Sequence, residues 1–193
     1  MSSGSLGRSN IEDFWGEMAP CDHLIQIYDD QGAFLDALEG FIAGGLRAGD
    51  STIVIATAIH LNTLEQRMRA RGIDLDVAHA NDQYIPLDAA DTLSKFMIGG
   101  WPDDELFQEL VTELLARARH GGRRVRAFGE MVAVLWARGD QAATVRLEHL
   151  WNELCQARGF SLFCAYPKVG FTQDANASIS ELCAAHSRVI SAN

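Results

Sequence analysis

Two side chains stand where a folded chain could do chemistry on a small molecule. His60 lies at the start of a helical stretch that follows the apolar run Thr52 to Ala56, and Glu130 comes directly after the apolar run Val125 to Phe128. An imidazole titrates near neutrality, and a carboxylate just beyond a buried strand is where a catalytic acid or a metal-binding group sits in many enzymes. The segment leading to His60 is more specific. Gly44, Gly45 and Leu46 precede a turn at Arg47 to Asp50, a buried strand, and then Thr57, Ala58, Ile59 and His60. That layout introduces a phosphate loop, which should read GxxxxGK followed by Ser or Thr, with glycines that admit positive φ and a lysine that counters the phosphates. Here the loop has no glycine and no lysine. ATP hydrolysis, which needs those groups to hold the triphosphate and its magnesium, is not expected.

What the loop retains is a helix N-terminus, whose free N–H groups attract a carboxylate or phosphate. His60 is then either a ligand contact or an exposed first-turn residue. Glu130, without a lysine or serine partner, is read as a hydrogen-bonding group for a ligand or as a brace for the turn at Gly129. Asp29 and Asp30 read better as a helix N-cap than as a metal pair. The histidines at 23, 60, 79, 120, 149 and 186 show no HxxxH or HxH spacing and no neighbouring cysteine ligand, so neither a dedicated zinc site nor a cofactor is expected. No GxSxG elbow occurs, and Cys164 within a strand is poorly placed as a nucleophile. Aromatic residues are frequent near the strand ends, Tyr28 and Tyr166 among them. Most aromatics must be core, but those at strand ends could line a pocket for a small, largely apolar molecule.

The elements that must position these residues alternate. Leu24 to Tyr28 reads as a strand, Gln31 to Leu46 as a helix with apolar residues at three-to-four spacing, and Thr52 to Ala56 as a strand buried on both faces. Helices follow at about 59–71 and 73–80. Next come an edge-like strand at Tyr84 to Leu87 carrying Pro86, a helix over 88–98 ending at Gly99 and Gly100, and a long helix to His120. A strand at Arg124 to Phe128, a short helix at Met131 to Ala137 and a helix from Asp140 to Gly159 come next. Phe160 to Tyr166 reads as the last strand and Ser178 to Ile190 as a closing helix. Strand and helix in alternation predict an α/β fold: a three-layer, mostly parallel sheet with helices on both faces, whose ligand crevice lies beyond the C-terminal strand ends.

Length and composition bound the rest. A chain of 193 residues with 48% hydrophobic content supports one domain, expected at 11–193 behind a disordered tail at 1–10; Phe14 and Trp15 in a short helix over 11–18 offer a homodimer or partner contact. The formal charge of -10 argues against nucleic acid or an anionic membrane as the main partner. The five arginines at 117, 119, 123, 124 and 126 are the best candidate for a local basic patch, and a helix C-terminus followed by a solvated turn explains them more simply. Four separated cysteines, no long apolar span and no secretion signal predict reduced thiols in a cytoplasmic protein.

Across about residues 21 to 190 the order and spacing of several short segments resemble the MEDS family, the sensory domain of methanogen and methylotroph DcmR-type regulators. They are His23 to Asp29 (HLIQIYD), Phe34 and Leu35, Gly44 to Leu46, Arg71 to Asp74, Thr92 and Leu93, Pro102 and Asp103, Arg124 to Met131 (RVRAFGEM), and His186 to Ile190. The resemblance implies a RecA/KaiC-like fold with an eroded phosphate loop, and a sensor of small molecules, proposed to be hydrocarbon derivatives. It further implies a link to a histidine kinase, an anti-sigma regulator or a transcription regulator, here a separate protein because the chain carries no output domain. Site residues carried over are His23, Tyr28, Gly129 and Glu130.

The expected function is therefore a non-enzymatic sensory domain whose ligand meets His23, Tyr28, Thr57, His60, Gly129, Glu130 and Tyr166. The rival expectations are a residual nucleotide-binding, ATPase-like protein and an interaction module with no ligand.

Overall fold

Apolar runs without polar alternation can be satisfied only by a sheet covered on both faces. The computed structural model, which describes residues 18, 19, 21–170, 186 and 188–190, has this arrangement. In chain order the elements are β1 (His23–Tyr28), α1 (Gln31–Arg47), β2 (Ser51–Ala56), α2 (Ala58–Ala70), α3 (Leu75–Ala80), β3 (Tyr84–Asp88) and α4 (Ala89–Ser94). A two-residue pair β4 (Met97–Ile98) and β5 (Trp101–Pro102) leads to α5 (Asp104–Ala118), β6 (Val125–Gly129), α6 (Met131–Ala137), α7 (Gln141–Arg158), β7 (Ser161–Pro167) and β8 (Arg188–Ile190). Six strands form one sheet in the order β3-β2-β6-β7-β1-β8, and every pairing in it is parallel.

Successive residues of each strand enter opposite cores. Ile53, Ile55, Ala127, Leu162 and Cys164 pack under α4 to α7, while Val54, Ala56, Phe128, Phe163 and Ala165 pack under α1 to α3. The expected three-layer α/β fold is thus the observed one. β2 leads to β3 through helices on one face and β6 leads to β7 through helices on the other, although β2 and β6 are hydrogen-bonded neighbours. Their C-terminal ends lead to opposite layers, the switch point at which such sheets bind ligands.

Two expected elements differ. The helix expected over 88–98 stops at Ser94, and Met97–Ile98 instead pairs antiparallel with Trp101–Pro102. Gly99 and Gly100 have φ of 59° and 83°, the pair of positive values that a two-residue hairpin turn demands. The glycines that read as a helix stop are a hairpin turn. The closing helix is corrected at its end, because Arg188–Ile190 is a strand lying parallel to Leu24–Gln26 of β1. A β-branched pair at the sheet edge finds a free ladder there, and local periodicity does not register that opportunity. The tail at 1–10, the expected helix over 11–17 and Cys183 lie outside the described residues. Pro86 sits on β3, an edge strand bonded only to β2, where its missing donor costs least. No helix among the described residues is long and apolar enough to cross a membrane.

The arginine group at 117–126 is spent internally. Arg117 pairs with Asp82, Arg119 donates to the Gly159 carbonyl, and Arg123 donates to the Asn81 carbonyl. Arg124 and Arg126 share Asp50, at 3.0 and 2.9 Å. Arg126 is only 1% exposed, and its stem runs so close to α1 that a Cβ on Gly45 would stand 2.8 Å from its Cδ. The Gly44 and Gly45 pair that read as the approach to a phosphate loop therefore includes a packing glycine.

Two substitutions test this. Gly45→Ala should destabilise by about 1–3 kcal/mol, because a pinned guanidinium stem cannot yield to the added methyl. Asp50→Asn should cost about 3–5 kcal/mol by stranding the buried Arg126 charge, whereas Arg124→Gln, which removes the exposed partner, should cost less than about 1 kcal/mol. Denaturant midpoints at unchanged slope measure all three.

Candidate functional site

Glu130 is held where β2 and β6 part. Its N–H donates to the Ile55 carbonyl at 2.8 Å, extending the β2–β6 ladder by one residue and fixing its backbone against β2. Its carboxylate then reaches across to the start of α2. Oε2 accepts the Thr57 N–H at 2.7 Å, Oε1 lies 2.6 Å from His60 Nδ1, and the Thr57 hydroxyl is a longer 3.5 Å from Oε1. Thr57 is the whole connection between β2 and α2 and is the N-cap of the helix, so the carboxylate sits at the positive end of the helix dipole. An anion site expected for a ligand is filled by the protein's own side chain.

The imidazole is held from both sides. Gln31, first residue of α1, places its side-chain amide on His60 Nε2. With the amide donating to Nε2, the proton on Nδ1 is the one given to Glu130. Phe34, one helical turn further along, meets the His60 ring edge-on at 5.1 Å, stacks on Tyr28 at 4.6 Å and touches Phe128 at 5.9 Å. Tyr28 is buried, and burial first and the nearby Glu130 charge second push its hydroxyl up to about 12. Around the neutral imidazole and its carboxylate partner the site is thus aromatic and largely enclosed. No serine or cysteine takes part in the contacts described for this pair.

Of the seven residues singled out in the sequence, Tyr28, Thr57, His60 and Glu130 come together here. Gly129 precedes them at the end of β6, but its φ is not positive, and the space its missing side chain leaves faces the Trp151 indole at 3.5 Å. It is a close-packing position, and the brace expected at this turn is made by the Glu130 N–H and carboxylate. Gln31 and Phe34 were not singled out, although both follow the Asp30 N-cap, which accepts from the Ala33 N–H at 2.7 Å as its sequence position predicts. Their position just beyond β1 was the available signal. Asp29 pairs with Lys168 at 2.8 Å.

His23 and Tyr166 belong elsewhere. Both lie on the other face of the sheet, under α7, around Glu148. Glu148 is 1% exposed; its Oε2 is 3.5 Å from His23 Nε2, 3.5 Å from His186 Nε2 and 3.6 Å from Cys164 Sγ, and its Oε1 accepts the Tyr166 hydroxyl. Burial alone would raise the Glu148 carboxyl, but the His23 hydrogen bond, the charges of His186 and His23 and the Tyr166 hydroxyl outweigh it and hold the carboxyl below its ordinary range. Histidine and cysteine that share no local spacing are thus neighbours. The legible signal was a glutamate on the apolar stripe of α7, between Leu147 and Trp151.

Compared with known families, residues 22–187 match the model of MEDS, the methanogen/methylotroph, DcmR sensory domain. A comparison with curated proteins finds no match.

The tyrosines give a test of the strand-end site. All three are raised by burial, Tyr84 and Tyr166 further than Tyr28, so Tyr28 should be the first to ionise in the folded chain. The folded state holds the Tyr28 proton more tightly than the unfolded state, whose value is about 10, so stability should fall as pH rises from about 10 through about 12. Glu130→Gln removes the second cause and should move the first tyrosinate transition, followed by absorbance, to lower pH. A transition unmoved by Glu130→Gln would show that the two groups do not interact.

Proposed function

The chain belongs to the MEDS family and so is a sensory domain; we propose that it is a non-enzymatic sensor whose ligand is a small, largely apolar, uncharged molecule bound where β2 and β6 diverge. The observation that carries this reading is the Glu130 carboxylate at the mouth of α2, held by the Thr57 N–H and His60. A fixed carboxylate there repels phosphate, and the β2–α2 connection has neither glycine nor lysine to grip one. The same carboxylate offers an acceptor to a hydroxyl or amine, and Tyr28 and Phe34 supply an aromatic wall for a hydrocarbon portion. Among the described residues no serine or cysteine contacts the His–Glu pair, which favours binding over turnover.

Such a ligand would act by differential affinity for two arrangements of the site. A hydroxyl competing for Glu130 weakens its hold on Thr57 and His60 and so loosens the first turn of α2, where Ile59 is 76% exposed. The signal then passes to an output partner such as a histidine kinase or a transcription regulator.

A thermal-shift series with ATP-Mg²⁺ beside short alcohols, amines, ketones and small aromatics tests the reading. A true ligand at one hundred times its Kd should add about 2.7 kcal/mol of stability, and Glu130→Ala or Tyr28→Ala should abolish the shift. Stabilisation by ATP-Mg²⁺ alone would replace this reading with a nucleotide-binding one. Silence across the series would leave an interaction module.

A further inference from the structure

We infer that His23, Glu148, Cys164 and His186 form a buried tetrahedral site for a borderline divalent transition metal of the zinc class, separate from the strand-end site. The four side chains come from β1, α7, β7 and the residue two before β8, and their ligand atoms all lie within 4.8 Å of one another. The distances decide between two explanations. Were the cluster a simple hydrogen-bonded network, charge-assisted N–H···O contacts to Glu148 would be about 2.7–2.9 Å. The histidine contacts are 3.5 Å, from both His23 and His186, whereas Cys164 Sγ at 3.6 Å from both Glu148 Oε2 and His23 Nε2 is at the ordinary length of a thiol hydrogen bond and fits either explanation. Metal–ligand bonds of about 2.0–2.3 Å at tetrahedral angles place neighbouring ligand atoms roughly 3.3–3.8 Å apart. These four spacings match edges of that tetrahedron, and the His23 and His186 ring centroids, 3.9 Å apart, must separate when both nitrogens turn to the ion.

The surroundings are those that ligands require. A metal-bound histidine donates its other ring N–H to an oxygen acceptor, and His23 Nδ1 faces Asn152 Oδ1 at 3.4 Å while Nε2 faces the cluster. Glu148 turns one oxygen to the cluster and takes the Tyr166 hydroxyl on the other. Charge also balances: a divalent cation with one carboxylate, one thiolate and two neutral imidazoles is neutral, which suits a site without water. Binding would break the Cys164 S–H bond, form a metal–sulfur bond and release one proton to solvent. With all four positions filled by protein the site is structural, tying His186, and through it β8, to the sheet and to α7.

The test uses the full chain with cobalt(II) as the probe, so that binding is read from spectra and no ligand response is needed. One cobalt per chain is expected, with the d–d bands of a tetrahedral ion and a thiolate-to-cobalt charge-transfer band. Cys164→Ser should remove the charge-transfer band, and Asn152→Ala, which leaves every ligand in place, should weaken cobalt binding about 10–100-fold. Glu130→Gln should leave both bands intact, which separates this site from the proposed sensory one. Failure of the wild-type chain to bind cobalt, octahedral bands, a charge-transfer band surviving in Cys164→Ser, or bands lost in Glu130→Gln would each overturn the assignment.

Discussion

Covering both faces of a parallel sheet removes water from every side chain on it, and the rest of this structure follows from how the chain meets that constraint. Apolar residues satisfy it by alternating between the two cores. Polar ones must find partners within the protein, since an unpaired polar group or charge in such surroundings costs several kcal/mol. Three of the buried charged groups among the described residues show how this is met. Arg126 lies against Asp50 near the N-terminal strand ends, Glu148 gathers partners beneath α7, and Glu130 bridges β6 to α2 at the C-terminal ends.

These three solutions differ in what they leave over. The Arg126–Asp50 pair is closed: the guanidinium also reaches the Phe41 carbonyl, and Gly45 is shaped to let it pass. It ties β6 to α1 and to the turn at Asp50. The Glu148 group is equally enclosed, yet its two histidine nitrogens stand 3.5 Å from the carboxylate, farther than direct hydrogen bonds require. The Glu130 group lies where two neighbouring strands send their helices to opposite faces, so it is the one of the three that topology brings to a crevice.

A carboxylate at the start of α2 also changes what that helix end can receive. The dipole of the helix and the Thr57 N–H remain, but an internal anion occupies them. The pull of the helix N-terminus on an anion is met by one residue 73 positions from Thr57 in the chain.

The sequence by itself determined the layers and most of the elements. Continuous β-branched runs such as Thr52 to Ala56 can be stable only when buried on both faces, and three-to-four apolar spacing fixes α1, α5 and α7; these are local properties that survive without knowledge of the fold. It also pointed to Tyr28, Thr57, His60 and Glu130, because residues just beyond strand ends converge in any such sheet. Tertiary structure alone decided the partnerships. Only the strand order shows that β2 abuts β6, which places Glu130 on His60, 70 positions away. Only the folding of β1, β7 and α7 into adjacent positions brings His23 to Cys164, 141 positions apart, and leaves an open sheet edge for Arg188–Ile190 to join as a strand. Periodicity is written along the chain, whereas contacts between distant polar groups depend on which strands lie side by side.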